Sequence, residues 1–415
     1  MEPNQSAIKR NIAEKIFIGL LCAVALVLPF HKVLPSPLLT LAAIIAIFSG
    51  NFAQKWKRLK SNRSIFIFAS LYLIALAGYL ISENKPVAAR DLQVKISIAL
   101  IPIILGAYID LTKREVMLII RCFVISCFIF AVSALSKAAF DYFTTGVNHF
   151  FYTDLVEFTF IHPSYIAMFE VFAVIVLLFN LLKVWKQSSF KFKLLHISSI
   201  LFLIFFIFLL SSKMAILSLF VLVSMILYIY LAPVFGKIKT ILILFAILIA
   251  GLIVILSLPK TRGRFLMLFS YNQVNYANST DSREEIWKSG FQISGEHFFT
   301  GVGSGDAEQV LVDQYQANQF SKGVEERYNA HNQYLQIMIE TGVFGLVLFL
   351  IVIVYSIRRA LKYRDYLYFT FLLLFLINIF TESMLKTQSG VVFYAFFNSL
   401  LGLYFSRSTA VLTNS

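Results

Sequence analysis

His331 is the residue of this chain best placed to move a proton. Histidine titrates near neutral pH and takes or gives a proton under ordinary conditions. His331 stands where a long polar segment meets an apolar stretch long enough to cross a membrane, and it is followed by Asn332, nine residues, and Gly342-Val343-Phe344-Gly345. At a membrane face such a group is a candidate general base for chemistry on a lipid-linked substrate. A histidine that simply starts a helix is the plainer reading, and the neighbouring residues weigh against it. Three cations accompany His331: Arg90 between the third and fourth apolar stretches, Lys213 between the seventh and eighth, and Arg283 in the polar segment. Fixed cations at headgroup depth hold a diphosphate and stabilise it as it leaves with growing charge. Arginine grips phosphate oxygens with a planar fork that lysine lacks. The competing reading for each cation is headgroup contact or snorkelling. For Arg283 it is also pairing with Glu284 or Glu285, which contributes little when exposed.

Ionisable residues well inside the apolar stretches are few: Arg121, His162, Glu170, His196, Glu340 and Glu382. Such charges are expensive in a membrane and usually mark function. Glu382 follows Thr381 across a short loop from Lys386, so a structural salt bridge between the two is its alternative. The run Gly301-Val302-Gly303-Ser304-Gly305 would let backbone N–H groups, at Gly303 and Gly305 above all, approach a phosphate. A tight turn between two helices is the favoured reading, because the run follows no strand and matches no P-loop. There is no HExxH, CxxC or Asp-x-Asp, so neither a metal nor a cofactor is expected.

These residues must be positioned by a membrane framework. Of 415 residues, 59% are hydrophobic and 14% charged, whereas a soluble domain carries about 25% charged residues. The apolar residues come in blocks of roughly 20, the length that spans about 30 Å of hydrocarbon. Alternating ten-residue strands are absent, which argues against a β-barrel. Twelve apolar stretches lie near 15–31, 36–51, 64–82, 95–110, 115–138, 160–182, 194–211, 214–232, 239–258, 331–357, 365–384 and 389–406. The expected fold is an all-α integral membrane protein of about twelve transmembrane helices, with one large outer loop containing short helices. Lys and Arg crowd alternate connectors, as in Lys55, Lys57, Arg58, Lys60 and Arg63, or Arg358, Arg359, Lys362 and Arg364. By the positive-inside rule these are cytoplasmic, which puts both termini inside and residues 259–330 outside. The net charge of +14 then reports topology, and nucleic acid is not an expected partner.

Three regions follow: a nine-helix membrane part over 1–258, a large outer loop over 259–330 that holds the catalytic and donor-binding elements, and a three-helix membrane part with a short tail over 331–415. Within the loop, residues 282–294 place Ile286, Trp287, Phe291 and Ile293 near helical spacing, as in a helix lying on a membrane surface. Asp281 is placed to cap it, with Glu284 closing a capping box. A second short helix is expected from about 306 to 320. The aromatics of 140–160 suit an interfacial belt. Cys22, Cys122 and Cys127 lie inside spans and imply no disulfide framework.

His331-Asn332-x9-Gly342-x-x-Gly345 resembles the signature that ends the large periplasmic loop in the O-antigen ligase and polymerase superfamily. Ser282-Arg283 through Trp287, then Gly301 to Gly305, is similar to that family's Ser-Arg, Trp and Gly-x-Gly-x-Gly run, and Thr381-Glu382-Ser383 with Leu385 and Gly390 to its tail. The resemblance implies metal-independent glycosyl transfer at the bacterial inner membrane. The donor would be a glycan on undecaprenyl diphosphate, and the acceptor a hydroxyl of lipid A-core or of another glycan. His331 would match the family's essential histidine and Arg283 its loop arginine, with Arg90 a further loop arginine. Where the family has Ser-Arg after the seventh span, this chain has Ser211-Ser212-Lys213, which keeps the charge and loses the fork. Asn332, Glu382, Gly303 and Gly305 would support the site. A polymerase joining lipid-linked repeat units and an O-linked protein glycan ligase are the nearest alternatives. A secondary transporter is the rival of a different class. Transporter sites sit near the midplane, often between inverted repeats, whereas the candidate residues here gather on the outer face.

Overall fold

The computed structural model describes residues 10–257, Arg262 and residues 282–410. Helices are the only regular elements among the described residues. The first group comprises α1 (Ile12–Val27), α2 (Pro35–Phe48), α3 (Phe52–Ser61), α4 (Arg63–Ala69), α5 (Tyr72–Ile81), α6 (Lys85–Lys95), α7 (Ser97–Tyr108) and α8 (Lys113–Thr145). After the short α9 (Tyr152–Val156) come α10 (Pro163–Val184), α11 (Phe190–Leu210), α12 (Lys213–Phe235) and α13 (Lys237–Ser257). The polar segment holds α14 (Ser282–Glu296), α15 (Ala307–Ala317) and α16 (Ser321–Glu326). Then follow α17 (Gln333–Lys362), α18 (Tyr366–Asn378) and α19 (Gln388–Ala410).

Each of the twelve apolar stretches is helical, the third through both α4 and α5, and seven helical segments among the described residues are long and apolar enough to cross a membrane. The number is eight if α2 and α3, bent by 111° at their junction, act as one broken span. The chain is thus a helical multi-pass membrane protein. Helix α18, at 13 residues, extends only about 20 Å at 1.5 Å per residue, short of a full crossing.

Several boundaries differ from the sequence expectation. Helix α8 runs on to Thr145, past 138, because Lys137 and Asp141 pair at 2.6 Å one turn apart and carry the helix into polar sequence. The fourth stretch begins at Lys85 rather than 95, since α6 buries the charges of Asp91 and Lys95 that an apolar count rejects. The eleventh ends at Asn378, so Glu382 lies beyond the helix rather than within it. Helix α14 begins where expected, but Ile286 and Ile293 pack on Ala307, Leu311, Tyr315, Leu335 and Ile339 rather than facing outward. Gly290 makes that approach feasible, because a Cβ there would meet Leu335 Cδ2 at 2.7 Å. Asp281, expected to cap this helix, lies outside the described residues.

Aromatic packing joins α8, α10, α18 and α19 in the interior of the bundle. Phe123 of α8, Phe169 and Phe172 of α10, Phe371 of α18, and Phe393 and Phe397 of α19 are all fully buried. Their rings meet at centroid distances such as 4.6 Å for Phe169–Phe393, 4.8 Å for Phe123–Phe397 and 4.9 Å for Phe172–Phe397. In lipid, where burial itself supplies little drive between helices, such close packing is what holds them together.

Helix α17 is broken at Gly342, whose φ of 65° and ψ of −164° fall in a region essentially restricted to glycine. Polar groups on both sides of the break find partners in the preceding loop. Val302 N–H donates to Ile339 O (2.8 Å), Gly303 N–H to Glu340 O (3.0 Å), and Val343 N–H to Phe298 O (2.8 Å). A Cβ at position 342 would lie 2.4 Å from Phe299 O. Gly342→Ala is therefore expected to destabilise the protein by about 1–3 kcal/mol through the backbone conformation alone, with the steric overlap adding to that. Thermal unfolding in detergent measures it, and an unchanged midpoint would show that the break relaxes freely.

Candidate functional site

Two backbone segments meet at the start of α17. Asn332 caps the helix, accepting from Tyr334 N–H at 2.9 Å and Leu335 N–H at 3.1 Å. Its place next to the histidine thus has a local reason, since asparagine is a preferred N-cap. Gln333 N–H donates to Ile379 O at 2.9 Å, and the Gln333 side chain accepts from Leu385 N–H at 2.7 Å. These bonds bind the His331 segment to the turn 379–386. His331 itself has a φ of 41°, a left-handed conformation uncommon outside glycine and concentrated at functional sites. Asn329 Oδ1 steadies it by accepting from its N–H at 2.9 Å, and the Tyr328 ring packs edge-on at 5.5 Å.

Glu382 joins the two leading candidates. Its Oε2 lies 3.2 Å from His331 Nδ1, and its Oε1 accepts from Arg283 Nη2 at 3.2 Å. The salt bridge to Lys386 anticipated from sequence is not formed; His331 and Arg283 are Glu382's partners instead. Burial alone would raise the Glu382 pKa. The His331 hydrogen bond and the charges of His331, His162 and Arg283 outweigh it and hold the carboxyl below its ordinary value. A carboxylate on Nδ1 fixes the imidazole tautomer and directs Nε2 to a ligand, the arrangement by which an acid residue orients a histidine base. His331 and Arg283 remain about one-quarter and one-third exposed, at 27% and 32%, so both are open to a substrate. Arg283 sits at the second position of α14, where the helix dipole adds positive potential. Trp287, one turn on, packs edge-to-face on Phe380 at 5.6 Å and ties that helix end to the Glu382 turn.

The remaining candidates are dispersed. Lys213 opens α12, and Ser218 in the second turn of that helix accepts from Asn378 Nδ2 at 3.3 Å. Asn378 ends α18, four residues before Glu382, so Lys213 lies at the Glu382 end of the bundle. Arg90 lies on α6 and is exposed, a helix whose buried face reaches the site through other residues. The glycine run does not present a phosphate cradle. Its N–H groups at Gly301, Val302, Gly303 and Ser304 donate to His297 O, Ile339 O, Glu340 O and Gly78 O, and that of Gly305 to Ser82 Oγ. A Cβ at Gly303 would meet Ser82 Oγ at 2.5 Å, and one at Gly305 would meet Asn84 O at 2.3 Å. Gly303 and Gly305 therefore dock the loop on α5, α6 and the break in α17. Asp306 completes the joint by accepting from Glu83 and Asn84 N–H at 2.7 and 3.0 Å.

Sequence reasoning missed Asp91 and Lys95, and the alternative pairing it offered for Lys386 is not the one formed. Lys95 Nζ contacts Asp91 Oδ2 (2.7 Å) and Glu340 Oε2 (3.1 Å), while Lys386 Nζ contacts Asp91 Oδ1 and Glu340 Oε1 (2.9 Å each). The available signal was Asp91 and Lys95 themselves, opposite charges one helical turn apart beside an apolar stretch. Other intramembrane charges stand apart from this region: His196 bonds Asn180 at 3.1 Å, and Glu170 is fully buried in α10.

Residues 198–350 match the family described as O-antigen ligase. The match begins in α11 and ends in α17, taking in Lys213, Arg283, Gly303, Gly305, His331 and Asn332 while leaving Arg90 and Glu382 outside. No curated protein matches the chain. Residues 198–350 are thus similar to the family that the motifs at 282–345 also resemble.

Proposed function

We propose that this membrane protein, with its O-antigen ligase domain over 198–350, transfers a glycan from undecaprenyl diphosphate to an acceptor hydroxyl without a metal. Members of the family are glycosyl-transfer enzymes acting on lipid-linked glycans. The observation that carries the finer reading is the convergence of His331 and Arg283, 48 positions apart in sequence, on Glu382. Glu382 holds Nδ1, and the acceptor O–H gives its proton to Nε2 of His331. The acceptor oxygen attacks the anomeric carbon, and the bond from that carbon to the diphosphate oxygen breaks. Arg283, with Lys213 and Arg90 at the rim, neutralises the departing diphosphate. Arg283 is shared between Glu382 and the donor, so donor binding and histidine orientation are linked. The charge pattern supports a topology with both termini in the cytoplasm and the site on the periplasmic face of the inner membrane, where lipid A-core as acceptor would make the protein a ligase.

The test is transfer by purified protein in lipid nanodiscs with EDTA present, given an undecaprenyl-diphosphate-linked glycan and lipid A-core. Glycosylated lipid A-core with release of undecaprenyl diphosphate is the expected result. Elongation of the lipid-linked glycan instead, with lipid A-core untouched, would make the protein a polymerase. Solute movement with no transfer to any acceptor would make it a transporter.

A further inference from the structure

Asp91, Lys95, Glu340 and Lys386 come from three separate elements, α6, α17 and the turn after Glu382, and their four contacts close a ring of alternating charge. Asp91, Lys95 and Glu340 are no more than 7% exposed. Two carboxylates and two ammonium groups leave the ring neutral, so it offers no net charge to a diphosphate. Burying such groups is a poor route to stability, because well-packed apolar residues of similar volume do as well or better. A ring of this kind does select one geometry, since any displacement of a member leaves a buried charge unpaired.

Its arms reach both sides of the His331–Glu382 contact. Lys386 lies four residues beyond Glu382 in the same turn. Glu340 Oε1 accepts from Gln336 Nε2 at 2.8 Å, and Gln336 Oε1 accepts at 3.0 Å from the N–H of Ala330, the residue immediately before His331. The backbone carbonyl of Glu340 also holds Gly303, in the loop that follows α14 and its Arg283. We propose that Asp91, Lys95, Glu340 and Lys386 are positioning residues that fix the Glu382 turn against His331, with Gln336 transmitting the constraint. The inference rests on the glycosyl-transfer reading for its kinetic consequence, but not for its geometry.

The test uses two full-length variants in nanodiscs. Asp91→Asn/Lys386→Met removes the arm to the Glu382 turn and leaves Lys95 paired with Glu340, so the ring stays neutral. Gln336→Met keeps every charge paired and removes both hydrogen bonds of the link from Glu340 to Ala330. In each, kcat is expected to fall about tenfold to a hundredfold, the scale of a small misplacement of a catalytic group, with the donor KM held within about twofold. The acid limb of kcat should move, because the Glu382 carboxylate relaxes away from the groups that face it, His331, which is the base, with Arg283, His162 and Tyr165. Independently of transfer, the rate at which diethyl pyrocarbonate modifies His331, read by peptide mass spectrometry, should change toward that of Glu382→Gln. This second readout stands even if no glycan is transferred by the wild type. Wild-type kcat, acid limb and His331 modification rate in folded protein of either variant would overturn the proposal and leave the ring a purely structural device. If the double variant does not fold, Gln336→Met alone decides the matter on the same readouts.

Discussion

His331→Ala is expected to reduce glycan transfer by about a hundredfold to ten-thousandfold, the range over which a positioned general base acts, while the protein still inserts and donor lipid accumulates. The ring nitrogen facing Glu382 is held at 3.2 Å, which in the proposed mechanism leaves the opposite nitrogen for the acceptor hydroxyl. Glu382→Gln should also lower kcat, but without raising the donor KM. The variant frees Arg283 from its carboxylate partner at 3.2 Å and leaves it to the diphosphate. The pH dependence has a definite sign. Glu382 must be ionised to hold His331 and Arg283. Its carboxyl is held below the usual value by those same groups and His162, against the opposing effect of burial. The Glu382 contribution to the acid limb should therefore lie below the ordinary carboxylate range, beneath the loss that follows from protonating the general base itself, and in Glu382→Gln that lower contribution should be missing. The measurement is kcat against pH for wild type and both variants with saturating donor. An active His331→Ala enzyme would remove the histidine from the mechanism.

The sequence made His331, Asn332 and Arg283 visible because their types and spacing are local signals: a histidine at a helix start, an N-cap next to it, and an arginine opening a predicted helix. Glu382 was visible as a costly charge, yet its partner was misjudged. Lys386 is four residues away in sequence, whereas His331 and Arg283 are brought to Glu382 by bonds such as Gln333 N–H to Ile379 O that no local pattern encodes. Asp91 and Lys95 escaped for a related reason. Hydropathy treats a charge as the end of a span, but these two neutralise each other and the pair Glu340 and Lys386, so the helix continues through them. The glycine run presented the reverse difficulty. Its composition suits either an anion cradle or a close joint, and only the acceptors of its N–H groups distinguish the two. Fold class was the most legible feature, because apolar blocks of the length a bilayer requires leave few alternatives. Helix ends were the least, because pairs such as Lys137–Asp141 carry a helix into polar sequence.

Arg283→Ala is expected to cost about 2–4 kcal/mol of transition-state stabilisation, roughly a hundredfold or more in rate, by analogy with groups that stabilise a developing oxyanion. The guanidinium has to meet two demands at once. It donates to Glu382 Oε1 at 3.2 Å and presents its remaining donors to the diphosphate, which a planar fork with five N–H groups allows. Arg283→Lys keeps the charge but supplies a single point donor, so it should remain well below wild type, its ammonium serving either the carboxylate or the diphosphate. At position 213 the expectation runs the other way. Lys213 opens α12 at the Glu382 end of the bundle, and a longer forked side chain there has the same sign of charge and greater reach. Lys213→Arg should therefore be tolerated, whereas Lys213→Ala should impair transfer, with the loss falling on donor KM more than at Arg283. The assay is transfer from a purified lipid-linked donor with EDTA present. Full activity of Arg283→Ala, or activity that returns only with added Mg2+, would show that the leaving diphosphate is stabilised by groups other than these cations.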